Sequence, residues 1–307
     1  MRFLYHFPCA RIPLVPSLLS AEAFASLARA AAAAGFEGVT VAEHPAPSEA
    51  WREGPGGHDC VDPFVVLGLV AGAAPSLKLV TYLAVVPFRN PFLLAKQAAT
   101  LDVVSGGRLM LGVGTGYQQP EFDALGVCFE DRNRLFDEGI EAMKLAWTGE
   151  VVDFKGTALP AGQVRCLPVP VSRPHPPFWI AGNSKLTLRR VVDVGQGWIT
   201  LPNPIGKAAP GRSQVLETID DLARLKLYLD EYARRRERTE PIDIVHSLAL
   251  APTDPAALRD HIARLGELGV TWVCANGLGA SPEEALDWIQ AFGAEVITPL
   301  AADRRAG

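Results

Sequence analysis

Short apolar runs alternate with stretches of helical period along most of the chain. Phe3 to Phe7 reads as a first strand. Ser20 caps a helix with Glu22 in its first turn, which runs through an alanine-rich stretch to Ala34 and ends at Gly35. Gly38 to Ala42 is the second strand and stops at Glu43-His44-Pro45. Asp62-Pro63 opens a helix to about Ala73. Leu77 to Val86 is an apolar, β-branched third strand. Asn90-Pro91 then starts a helix, since asparagine caps well and proline at the first helical position loses no intrahelical bond. Leu94, Ala98 and Leu101 supply its apolar face, and Ser105-Gly106-Gly107 stops it. Leu109 to Val113 is the fourth strand, running into Gly112-Val113-Gly114-Thr115-Gly116.

The second half keeps the rhythm. Arg132 to Trp147 is an amphipathic helix, and the Pro-rich residues 148 to 175 read as irregular or as a short hairpin. Phe178 to Gly182, Gly197 to Thr200, Ile242 to Leu250 and Val270 to Ala275 are strands five to eight. Helices are expected over Lys185 to Val194, Gln214 to Arg236, Asp254 to Leu268 and from Ser281-Pro282 onward. Eight alternations of strand and helix demand parallel strands covered by helices, and in this length they predict a closed (β/α)8 barrel forming one domain, residues 1 to 307. Residues 45 to 60, 117 to 130, 148 to 175 and 201 to 213 are long loops that would line its mouth. Lys207 and Arg212, in the last, read as a solvated loop before a contact for an acidic substrate.

Composition narrows the picture. Of 307 residues, 49% are apolar, enough for a large core, and the net charge of -5 argues against a nucleic-acid footprint. The five cysteines, Cys9, Cys60, Cys128, Cys166 and Cys274, are odd in number, widely spaced and without a C-x-x-C pair. A disulfide framework or structural zinc is therefore not expected. The N-terminus has no long apolar stretch of a signal peptide, and Val61 to Ala74 is too short and interrupted to span a bilayer. The expectation is a soluble, cytoplasmic protein without membrane or nucleic-acid partners.

In such a barrel, ligands meet the C-terminal ends of the strands. That singles out Phe7, Glu43-His44, Tyr82-Leu83, Gly112 to Tyr117, Gly182 to Ser184, Thr200 and Asn276. His44 can move a proton at neutral pH, or cap local backbone. Gly182-Asn183-Ser184 precedes a helix and reads as a phosphate site, as simple capping, or as both. The loop from Gly112 to Gly116 misses the G-x-G-x-x-G spacing of a dinucleotide fold. It reads as room for a flat ring, or as tight packing at the rim. His6 stands alone in strand one, and His58, Asp59, Cys60 and Asp62 read as loop caps, so no metal site is expected. A G-x-S-x-G nucleophile elbow is absent.

The stretch Pro87 to Gly126, PFRNPFLLAKQAATLDVVSGGRLMLGVGTGYQQPEFDALG, resembles the bacterial luciferase-like superfamily of flavin- and deazaflavin-dependent oxidoreductases. RNRLFDEGIEAMKLAW from Arg132 and RPHPPFWIAGNSKLTLRR from Arg173 join it. The resemblance implies a TIM barrel with insertions, usually dimeric, with a cofactor across the barrel mouth and its phosphate near strand five. The pattern is most similar to the branch using the deazaflavin coenzyme F420, with FMN monooxygenases as the alternative. A small organic substrate is implied, with a homodimer and a separate reductase supplying reduced cofactor as partners; a non-catalytic cofactor-binding or partner subunit is the reading of a different class. His44 matches a histidine beside the reactive ring, and Glu43 its commonly acidic neighbour. Tyr82-Leu83 falls where members carry a non-prolyl cis peptide. Gly114, Thr115, Gly116, Tyr117, Gly182, Asn183 and Ser184 match cofactor-contacting positions. Deazaflavin dehydrogenases of sugar phosphates carry an acid where Tyr117 stands, which argues against that activity.

Overall fold

A computed structural model of the chain describes residues 1–8, 16–54, 57–157, 160–203, 214–249 and 251–306, with side chains to residue 302. In chain order these form β1 (Arg2–His6), α1 (Ala21–Ala33), β2 (Gly38–Val41), α2 (Glu49–Arg52), α3 (Pro63–Ala73), β3 (Lys78–Thr81) and β4 (Ala84–Val85). Then come α4 (Pro91–Val104), β5 (Leu109–Gly114), α5 (Gln119–Ala124), α6 (Arg132–Ala146), β6 (Val152–Phe154), β7 (Ala161–Val164) and β8 (Phe178–Ala181). The chain finishes with α7 (Lys185–Val194), β9 (Gly197–Ile199), α8 (Ile219–Arg235), β10 (Asp243–Ser247), α9 (Pro255–Glu267), β11 (Trp272–Asn276), α10 (Pro282–Phe292) and α11 (Thr298–Ala306).

The sheet order β3-β2-β1-β11-β10-β9-β8-β5, with β3 also paired to β5, closes the cylinder. All these pairings are parallel, and β4 continues β3 along β5, which makes eight staves. The closed (β/α)8 barrel expected from the alternation is the one found. The helices begin as their caps dictate: Ser20, Asp62, Asn90, Ser184, Asp254 and Ser281 each accept a backbone N–H.

Several expectations need correction. The third strand is not continuous from Leu77 to Val86; it breaks between β3 and β4 at a cis Tyr82-Leu83 peptide. The helix expected from Gln214 starts at Ile219, where Thr218 and Asp221 form a reciprocal capping box. The strand expected over Ile242 to Leu250 is only Asp243–Ser247. The loop 45 to 60 contains α2, and 117 to 130 contains α5, each too short to show a helical period. Residues 148 to 175 hold the short hairpin, one of their two readings, with β6 antiparallel to β7. Cys9, Lys207 and Arg212 lie outside the described residues.

Inside the barrel, side chains two apart on a stave share a face, and paired residues on neighbouring parallel staves point the same way. Leu4, Val80, Trp179, Ile199, Val245 and Trp272 fill the lower part and are almost fully buried. The two indoles lie 5.5 Å apart. Glycine makes their room: a Cβ added at Gly197 would fall 2.3 Å from Trp179. Below them Arg2 closes the end, its guanidinium 4.1 Å from the Trp272 ring and bonded to Asp243 at 2.6 Å.

Candidate active site

One step further up each stave the lining changes. Above Leu4 comes His6, above Gly38 comes Thr40, above Val80 comes Tyr82, above Val245 comes Ser247, and above Trp272 comes Cys274. His6 Nδ1 lies 2.6 Å from Thr40 Oγ1, which is 3.6 Å from Cys274 Sγ. The Tyr82 ring sits 5.6 Å from that of His6. Burial, helped by nearby His58, lowers the His6 imidazole to about 4, so it is neutral at pH 7. Burial raises the Tyr82 phenol well above its ordinary value.

At the end of β2 the alternation sorts Glu43 from His44. Adjacent residues on an extended chain face opposite ways. Both Glu43 oxygens are taken, one by the Arg89 guanidinium and the other by Val85 N–H at 2.7 Å. Burial raises this carboxyl and Arg89 opposes the rise. Glu43 therefore ties β2 to the segment after the cis peptide and has no oxygen turned to the mouth. His44 faces the mouth. Its Nδ1 is 3.1 Å from Glu121 Oε2 and 3.2 Å from the Gln118 side-chain nitrogen. Glu121, on α5, is buried and also receives Ala46 N–H at 3.4 Å. A carboxylate against Nδ1 sets the tautomer and leaves Nε2 as the working nitrogen.

Around His44 stands a wall of rings. Trp51 lies 4.5 Å from it, His58 5.0 Å and Tyr117 6.0 Å. Tyr117 is 40% exposed as a residue, while its hydroxyl is near Gln118, Glu121 and Cys60, and burial pushes it up to about 12. His44, Tyr82 and Tyr117 are thus brought to one mouth. The glycine loop does not keep open space: a Cβ on Gly112 would fall 1.9 Å from the Thr81 carbonyl oxygen, and one on Gly114 2.7 Å from Leu83. A Cβ on Gly116, at φ +74°, would meet Phe122 and Val85. On the side where each Cβ would stand, packing takes the space: Thr81 at Gly112, Leu83 at Gly114, and Phe122 with Val85 at Gly116. Thr115 continues the strand direction beyond Gly114.

The other predicted cluster is at the top of β8. Asn183 is buried and bridges to Leu201, donating to its carbonyl at 2.6 Å and accepting its N–H at 3.0 Å. Ser184 caps α7 through Thr187 N–H at 3.1 Å. Gly182 takes φ +128° and its carbonyl accepts from Trp198 Nε1 at 2.8 Å. The side chains are spent on the fold. What remains for an anion is the first turn of α7, whose Lys185 and Leu186 N–H groups have no intrahelical acceptor and which carries no acid. Thr200 faces outward and bonds His246 at 2.8 Å, away from the mouth.

With this geometry in view, comparison with known proteins is direct. Residues 1–259 match the model of the luciferase-like monooxygenase family. The chain belongs to that family. An uncharacterized protein of Mycobacterium tuberculosis H37Rv is 28% identical over 237 residues, 77% of this chain and 76% of its own. Among solved structures, an F420-dependent secondary alcohol dehydrogenase in complex with an F420-acetone adduct shares the fold with TM-score 0.74. It is 17% identical and covers 98% of this chain and 99% of its own. The oxygenating constituent of 3,6-diketocamphane monooxygenase from Pseudomonas putida, in complex with FMN, gives TM-score 0.73 at 16% identity, over 96% and 98%. The chain is thus a luciferase-like oxidoreductase by family, and proteins of the same fold include an F420-dependent enzyme and one in complex with FMN.

The residues that carry this family likeness in sequence are mostly structural. Arg108, of Ser105-Gly106-Gly107-Arg108, donates to the carbonyls of Ala71, Ala74, Leu77 and Ser105 at 2.7 to 3.1 Å. Asp102, fully buried, holds Val171 N–H, Ser172 N–H and the Ser172 hydroxyl. The sequence placed Trp51, Gln118 and Glu121 only within loops expected to line the mouth, without singling them out, and left His6 alone. The signal for Glu121 was Gln119-Pro120-Glu121, a proline and an acid opening a short helix.

Proposed function

We propose that this protein is an F420-dependent oxidoreductase that passes hydride between the deazaflavin and a small organic substrate at the barrel mouth. The observation that carries it is His44, set at the end of β2 with Nδ1 against buried Glu121. Hydride exchange at an oxygen-bearing carbon requires a proton at that oxygen. His44 Nε2, the nitrogen left when Glu121 and Gln118 take Nδ1, is the group to give or take it, while Glu121 holds the ring in place.

The chain's residues fit such a coenzyme. The α7 N-terminus offers free N–H groups for a phosphate, with Gly182, Asn183 and Ser184 shaping it. Tyr82, Leu83, Gly114, Thr115, Gly116 and Tyr117 would frame the ring, with Glu43 supporting His44 from behind. When bound, the deazaflavin supplies the carbon that exchanges hydride, whereas reduced FMN would supply oxygen chemistry. Titrating the full chain separately with F420 and FMN, followed by their fluorescence, tests the reading. Binding of F420 supports it, and binding of FMN alone sinks it in favour of the monooxygenase.

We also read the protein as a homodimer. Every residue of α3 is apolar, glycine or proline, and Val65 and Leu69 on its outer side are exposed. A helix apolar all round asks for cover on both sides. An open groove of about 280 Å³ beside it is lined by Leu19, Phe24, Val65 and Leu69. Val65→Glu with Leu69→Glu should give monomer in sedimentation; an unchanged dimer would remove this face from consideration.

A further inference from the structure

His6 takes no part in the chemistry assigned to His44. It sits on β1 across the mouth, held through Nδ1 by Thr40 Oγ1 at 2.6 Å. No described residue is recorded against its Nε2, and the side chain keeps partial exposure in spite of its depth. His58 connects this floor to the aromatic wall, because it lies 5.0 Å from His44 and is close enough to His6 to act on its charge. The site thus has a flat-sided wall of Trp51, His58 and Tyr117 above a floor whose one accessible ring nitrogen is that of His6.

The chemistry of this floor is neutral. Thr40, Tyr82, Ser247 and Cys274 surround the imidazole, and none of the floor or wall side chains is a lysine or arginine. Arg89 is bound to Glu43, and Glu121 places a carboxylate beside His44. Among the described residues, the floor therefore offers a charged group no opposite charge, and a neutral oxygen a hydrogen-bond partner. A neutral imidazole suits either an oxygen acceptor or a hydroxyl donor. If Thr40 donates to Nδ1, Nε2–H is offered; if Nδ1–H donates to Thr40, the Nε2 lone pair is offered. The Thr40 hydroxyl can turn toward Cys274 Sγ, 3.6 Å away, and so permits both arrangements.

Resting on the reading of the mouth as the reaction site, we propose that the substrate is an uncharged, flat molecule whose carbonyl or hydroxyl oxygen is anchored by His6 Nε2. His6 is a binding and positioning residue here: it fixes which carbon is presented at the mouth. Because it offers a donor or an acceptor at the same place, it can hold the carbonyl and the alcohol forms of one substrate.

Calorimetric titration of the full chain without coenzyme tests this, with 2-naphthol, 2-acetonaphthone and 2-naphthoate as the probes. Wild type should bind the two neutral probes at least about ten-fold more tightly than the carboxylate. His6→Phe, which keeps a ring and removes the nitrogens, should weaken both neutral probes roughly ten-fold, the worth of one hydrogen bond to a buried group. His6→Gln should recover part of that loss, which a purely structural role would not do. Should His6→Phe fail to fold, Thr40→Val carries the same expectation at about three-fold. Preference for the carboxylate, no binding of any probe by wild type, or equal binding by wild type and the variants overturns the proposal. Coenzyme titration of the same proteins separates the two readings: loss of F420 and FMN binding by wild type would sink the oxidoreductase reading, while His6→Phe should leave coenzyme affinity unchanged.

Discussion

The lower barrel and its mouth are built on the same staves and differ by one step of two residues. Leu4, Val80, Val245 and Trp272 are nearly inaccessible, and the residues that follow on the same face are His6, Tyr82, Ser247 and Cys274. Below, bulk is matched to bulk, with Trp179 packed beside Gly197. Above, these staves turn to polar or sulfur-bearing groups, and the barrel stops being filled with aliphatic bulk. A pocket is made here by what each strand stops supplying, on a scaffold whose backbone bonds continue unchanged. The lower layer should therefore answer to stability measurements and the mouth to activity and binding.

The largest expected effect tests the upper half. His44→Ala should lower turnover by about 10²- to 10⁴-fold, the usual worth of a positioned acid–base group, with coenzyme affinity and thermal midpoint little changed. Unchanged turnover would remove His44 from the proton's path. Glu121→Gln should reproduce part of the loss, because the charged acceptor that orients the imidazole through Nδ1 becomes a neutral amide. The lower half is tested next. Trp179→Ala should cost about 3–5 kcal/mol in chemical denaturation, since a buried indole leaves a cavity between Gly197 and Trp272. A loss of probe binding at full stability would break the division between the layers.

Acid titration sharpens the boundary between them. The His6 imidazole sits at about 4 in the fold against 6.5 ordinarily. The unfolded chain takes that proton first as the pH falls, so the stability it contributes is complete above 6.5 and lost on going down to about 4. The contribution is on the order of 3 kcal/mol. His6→Phe should flatten this limb of the stability profile; an identical limb would mean that His6 is not buried neutral. The smallest effect belongs to the top of β8. Ser184→Ala should cost about 1 kcal/mol as a lost helix cap, measured by thermal denaturation.

His44 was legible because it follows a continuous apolar strand, and the end of a barrel strand is where ligands are met. Glu43 looked equally well placed. Its partner Arg89 lies forty-six residues on, and pairing across that separation leaves no local trace. Gly112 and Gly114 were rightly read as marking a close approach; that the approaching group is Thr81 and Leu83 depends on where a neighbouring strand breaks. His6 looked isolated because Thr40 and Cys274 reach it from other staves.

By itself the sequence determined the eight alternations, the caps that start the helices, and hence the parallel barrel. Those follow from local periods and side-chain chemistry within a few residues of each other. Tertiary structure alone decided which polar residues share the mouth and which are spent on the frame. His44 with Glu121, His6 with Thr40, and Glu43 with Arg89 are joined between segments far apart in the chain that strand pairing brings side by side. Register sets those meetings, because the stagger of neighbouring strands fixes which side chains reach the same height.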